Sequence, residues 1–83
     1  MDRSGLIEAV ARRTADDAEL SAERIGRVID ALFGTVAEAG AIAEAIRTGG
    51  AVTLMGFGSF HHADGGASLR PGIALNEFVN DQV

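Results

Sequence analysis

The chain contains no cysteine, no lysine, no tryptophan, no tyrosine and a single proline. Without cysteine, neither a disulfide framework nor a thiolate metal site can brace so short a sequence. Without lysine, positive charge rests on seven arginines against twelve acidic residues, a formal net charge of −5, so that two copies would carry −10. Nucleic-acid binders usually display a basic footprint, because phosphate neutralisation and counterion release supply much of their affinity. That footprint is absent globally, and only a local basic patch could hold DNA. No apolar run approaches the roughly 18–20 residues of a membrane span, and Met1–Gly5 is polar, so the expected compartment is the cytoplasm. Repeats, low-complexity tracts and long linkers are also missing, and residues 1–83 read as one domain.

What is present in excess is apolar surface. Hydrophobic residues make up 47% of the 83 positions, more than a domain this small can cover by itself. A second copy of the chain is the simplest cover, so a homodimer is expected.

Ser4 is a plausible N-cap, with Leu6, Ile7, Val10 and Ala11 at helical spacing behind it, and a first helix is predicted over about residues 4–14. The acidic stretch 15–20 connects it to a second helix opening at Ser21, where Leu20 and Ile25 hold the positions of a hydrophobic staple. The series Ile25, Ile29, Leu32, Val36, Ala39, Ala43, Ile46 steps by four and three residues. It predicts one helix of roughly 25 residues, about twice the usual length. Gly49 or Gly50 would stop it. Ala51–Met55 reads as a strand, interrupted by Gly56 and Gly58, which permit a bend that aims Phe57 and Phe60 usefully. A second strand is predicted over about 59–62, a tight turn at Asp64-Gly65-Gly66, a return strand over 67–69, and a final helix over about 71–81 with Pro71 near its first turn. The order is α+β by pattern.

Met1–Val10 (MDRSGLIEAV), Leu20–Phe33 (LSAERIGRVIDALF), Val52–Phe60 (VTLMGFGSF) and Leu69–Val79 (LRPGIALNEFV) together resemble, in order, the HU/integration-host-factor family of bacterial DNA-binding proteins. The segment Gly56-Phe57-Gly58-Ser59-Phe60 is the most specific part of the resemblance. It implies an intertwined dimer with two N-terminal helices per subunit, a short three-stranded antiparallel sheet and a C-terminal helix, with Ile29, Leu32, Phe33, Val36, Phe57, Phe60 and Phe78 in the dimer core. It also implies two long β-arms that carry a wedging proline into the minor groove. Two departures stand out. Where the family has its basic arm, only His61–Ser68 (HHADGGAS) remains, without arginine, lysine or proline. The second helix also gains about seven residues near Ala39–Arg47. Seven residues advance a helix by about 10 Å and nearly two full turns, so the apolar stripe would keep its direction.

Competing readings of single residues are weak. Ser59, His61 and Asp64 form no triad by sequence alone, since geometry defines one, and the chain is not expected to be an enzyme. His61 and His62 are neighbours on a strand and point to opposite faces, so they do not chelate one ion. No metal and no cofactor are expected. Gly56-Phe57-Gly58 lacks the third glycine and the following helix of a dinucleotide fingerprint. The candidate DNA-backbone residues are Arg3, Arg47, His61 and Arg70, with helix N-termini at Ser4 and Gly72. Two functions remain open. One is a nucleoid-associated protein that binds DNA weakly, without sequence preference or bending. The other is a dimeric interaction module, or a partner of an armed HU subunit, that no longer binds DNA.

Overall fold

The computed structural model describes residues 1–81. It is an α+β structure with four helices and one three-stranded sheet: α1 (Arg3–Arg13), α2 (Ala22–Phe33), α3 (Ala41–Arg47), β1 (Val52–Leu54), β2 (Gly58–Ala63), β3 (Gly66–Pro71) and α4 (Ile73–Val79). The chain forms two compact units, Met1–Gly40 and the part from Ala41 onward.

In the first unit, α1 packs against α2. Asp2, and not Ser4, caps α1, its carboxylate accepting the Gly5 N–H at 2.9 Å. One residue earlier in the chain, a carboxylate both satisfies an orphan N–H and complements the positive end of the helix. Ser21 caps α2 as expected, accepting from the Arg24 N–H at 3.2 Å. Ile25 and Gly26 are the buried positions of α2. Gly26 lets the helices approach: a Cβ there would meet Ile7 Cδ1 at 3.3 Å and the Arg3 guanidinium at 2.9 Å.

The long second helix does not exist; three helices, not two, precede the sheet. Gly34 ends α2 with φ 84° and ψ 178°, a conformation no helix continues through. The Thr35 hydroxyl then accepts the N–H groups of Ala37 and Glu38 at 3.3 and 3.1 Å, and Thr35 N–H donates to the Glu38 carbonyl at 2.8 Å. A bridge between Gly34 and Ala39 closes this turn, leaving Val36 fully exposed. The heptad spacing of apolar residues is thus divided among a helix, a turn and a second short helix. The seven residues near Ala39–Arg47 build a separate element, α3.

In the second unit, α3 packs on the sheet through the buried Ile46. The sheet is an antiparallel meander in the order β1-β2-β3. Its first connection is a tight reversal in which Phe57 N–H donates to the Leu54 carbonyl at 2.9 Å, and Gly56 supplies the required left-handed backbone at φ 84°. The rings of Phe57 and Phe60 lie 6.2 Å apart, inclined by 25°. The second connection is a two-residue loop, Asp64-Gly65, both at positive φ, between paired Ala63 and Gly66; this is the type I′ chemistry that Asp-Gly favours. Pro71 closes β3 opposite Gly58 instead of opening the last helix, which starts after Gly72.

Candidate nucleic-acid interface

Strand alternation sorts the sheet residues onto two faces. The registers Thr53↔Ser59↔Arg70 and His61↔Ser68 place these five side chains on one face. The other face carries Val52, Leu54, Phe60, His62 and Leu69, and it is there that α3 packs: Ala43, Ile46 and Arg47 share an open cavity of about 340 Å³ with His62 and Ala67. The first face therefore lies away from α3. Three hydroxyls, one imidazole and one guanidinium make up its polar groups, and among the described residues of β1–β3 it holds no carboxylate. In a chain with a charge of −5, this face carries a formal positive charge through Arg70 and no opposing carboxylate from the strands.

Thr53 Oγ1 and Ser59 Oγ stand 3.2 Å apart across the strands. His61 Nδ1 lies 3.3 Å from the Ser59 carbonyl oxygen. Arg70 is exposed, and no ion pair holds it among the described residues. Beyond Phe60, β2 has only β3 as a neighbour, so His61 and Ser68 sit on the two-stranded part of the hairpin. The hairpin ends at Asp64-Gly65, a carboxylate and a glycine.

The candidate residues are divided between the two units. Arg70, exposed, and His61, half-buried, come together on the sheet face away from α3. Arg47 lies with α3 on the opposite face. Arg3 is in the first unit, where its guanidinium binds Asp30 side-on: Nε to Oδ1 at 2.8 Å and Nη2 to Oδ2 at 3.0 Å. Its Nη2 also reaches the Gly26 carbonyl at 3.5 Å. The hydrogen bond from Arg3 holds the Asp30 carboxyl below the usual carboxylate range, opposed by desolvation and aided by the Arg3 charge. Ser4 lies in the first turn of α1, with Asp2 in the capping place. At the start of α4, the Gly72 and Leu75 N–H groups already donate to the carbonyls of Phe57 at 2.7 Å and Gly56 at 3.0 Å. At both termini part of the set of free amides that could meet a phosphate is thus already engaged.

Thr53 and Ser68 were not singled out from the sequence, and Ser59 was weighed only as a member of a catalytic triad, although period-two alternation through the correct strand boundaries would have placed all three beside Arg70. The residues assigned to a dimer core are mostly open in the single chain: Phe33 is 55%, Leu32 42%, Phe57 43% and Phe78 68% exposed. Within the first unit, Leu32 and Phe33 help line an entirely apolar cleft of about 350 Å³ that also includes Ile29.

The family model described as bacterial DNA-binding protein matches residues 1–69, from the first helix to the middle of β3. No curated protein matches the chain at a significant level.

Proposed function

The chain belongs to the bacterial DNA-binding protein family, the HU/IHF family, and on that premise we propose that it is a dimeric nucleoid-associated protein that holds DNA weakly, without sequence preference and without bending it. The observation that carries this reading is the acid-free sheet face of Thr53, Ser59, His61, Ser68 and Arg70. Hydroxyls and a free guanidinium are the groups that meet phosphate oxygens, and contacts of that kind position a duplex without reading its bases. The second element is the hairpin tip. A wedge that unstacks a base step needs an apolar side chain at the point of contact, whereas Asp64 brings a negative charge towards the phosphates. No arm extends past it to wrap the duplex.

The dimer follows from the same economy. The cleft on α1 and α2 is lined wholly by apolar side chains, and Val28, Leu32 and Phe33 on it are exposed in the single chain; a second copy covers them without any further partner. On this reading the protein works in the bacterial nucleoid. The reading requires no catalytic residue, metal or cofactor. Among the described residues no helix is long and apolar enough to cross a membrane.

Titration of a labelled duplex at several salt concentrations tests the proposal. With Arg3 engaged by Asp30 and Arg47 on the far face, a dimer offers two Arg70 contacts and at most two from His61. At about −0.9 per contact, log affinity should fall against log salt with a slope between about −2 and −4. Fluorescence transfer between the duplex ends should show no bend. Tight binding at physiological salt, or a sharp bend, would contradict the proposal. Absence of binding even at low salt would favour the second reading, a dimeric interaction module or a partner of an armed HU subunit, for which the charge of −5 speaks.

A further inference from the structure

Resting on the reading of the sheet face as the DNA-backbone surface, we propose that His61 is a proton-gated phosphate contact, so that this protein grips DNA more strongly at pH 5.5 than at pH 8. The geometry at the imidazole sets the sense of the gate. Nδ1 lies 3.3 Å from the Ser59 carbonyl, and a carbonyl only accepts, so the hydrogen of that bond sits on Nδ1. The neutral ring then presents an unprotonated Nε2, a lone pair that repels a phosphate oxygen. One proton converts Nε2 into an N–H donor and the ring into a cation, while the Nδ1 bond stays in place. The change is from repulsion to a charge-assisted hydrogen bond at one atom.

The surroundings leave this proton unopposed on its own face. From β1 the neighbour is Thr53, and from β3 the neighbours are Ser68, directly opposite, and Arg70. Asp64 is at the hairpin tip, three residues along the chain. The charged residues of α3, Glu44 and Arg47, belong to the helix packed against the other face, where His62 lies. No carboxylate on the face competes with phosphate for the imidazolium. A phosphate bridging His61 and Arg70 is held by two donors on adjacent strands. His62, the next residue on the strand, is exposed on the opposite face, which makes it the internal control.

The test is a set of salt titrations of a labelled duplex at pH 8 and pH 5.5, with wild type, His61→Asn and His62→Asn. Circular dichroism at both pH values checks that each variant is folded. For a dimer the wild-type slope should steepen from about −2 at pH 8 to about −4 at pH 5.5, two added contacts at roughly −0.9 each. His62→Asn should steepen equally, and His61→Asn should stay near −2 at both pH values. If His61→Asn steepens as wild type does, the effect is one of net charge and the proposal is overturned, with the DNA-binding reading intact. A wild-type slope that does not change with pH overturns it in the same way. No binding at either pH overturns both.

Discussion

The Nε atom of Arg3 lies 2.8 Å from Oδ1 of Asp30, twenty-seven positions away in the chain, and ties the first turn of α1 to the last turn of α2. Asp30 ionises more readily in the folded protein than in the unfolded chain, because the Arg3 hydrogen bond and charge favour the carboxylate. A carboxyl whose folded pKa is lowered contributes stability above its unfolded pKa, and that contribution is lost as the pH falls through the folded value. Asp30→Asn should therefore be less stable than wild type near neutrality and should converge on it under acid. Urea midpoints measured between pH 7 and pH 2 check this. Both side chains are substantially open, 55% for Arg3 and 34% for Asp30, so the difference should be small and should shrink with salt. Parallel pH profiles for the two proteins would contradict the assignment.

The break after Phe33 can be tested by the sign of one substitution. If residues 22–47 formed a continuous helix, Gly34→Ala would stabilise it by about 1 kcal/mol. In the observed turn a Cβ on Gly34 would meet the Gly40 amide nitrogen at 2.6 Å and the Glu38 carbonyl oxygen at 2.7 Å, at φ 84°. The substitution should then destabilise the protein, by about 1–3 kcal/mol for the backbone strain. Thermal denaturation decides between the two.

Ile46 should matter more than its place near the end of a helix suggests. It is 7% exposed and is the buried large apolar side chain of the second unit among the described residues. Ile46→Ala should cost about 2–4 kcal/mol, seen as a lowered urea midpoint. By the same reasoning, deleting Gly40–Ile46 removes nearly all of α3 and should abolish the fold of the second unit.

Association should depend on the open apolar residues of α2. Phe33→Asp places a carboxylate on the cleft of the first unit, and in a dimer sealed there it would be desolvated without a partner. Sedimentation equilibrium should show wild-type dimer at micromolar concentration and a dissociation constant raised at least about tenfold in the variant, the loss of a central apolar anchor. A folded wild-type monomer at that concentration would contradict the dimer.

Much of this fold was legible in the sequence because local chemistry decided it. Ser21 caps its helix, Asp64-Gly65 makes its hairpin turn, and the Gly56 corner reverses the chain where the glycines indicated. The long helix failed because apolar spacing was weighed above two glycines. Gly34 and Gly40, with the β-branched Thr35 between them, are each unfavourable in a helix interior, and together they outweigh a stripe that no neighbouring surface supports. Ser4 lost the cap to Asp2 because both lie within reach of the same first turn, and the choice rests on backbone geometry. The candidate site was half legible. Arg70 and His61 were named among the backbone candidates together with Arg3 and Arg47, but the face the two share, and the three hydroxyls on it, depended on a register that only the paired strands reveal. The capture of Arg3 by Asp30 joins two helices, which no local pattern encodes.

The claim that one sheet face holds DNA is tested most directly by comparing Arg70→Ala with Arg3→Ala in low-salt titrations of a labelled duplex at pH 8. Arg70 stands free on the acid-free face, whereas Arg3 is held by Asp30. Arg70→Ala should remove nearly all binding, flattening the salt slope from about −2 towards zero, and Arg3→Ala should leave the slope close to that of wild type. Equal losses in the two variants, or a loss confined to Arg3→Ala, would place the DNA elsewhere on the protein and contradict the assignment of the face.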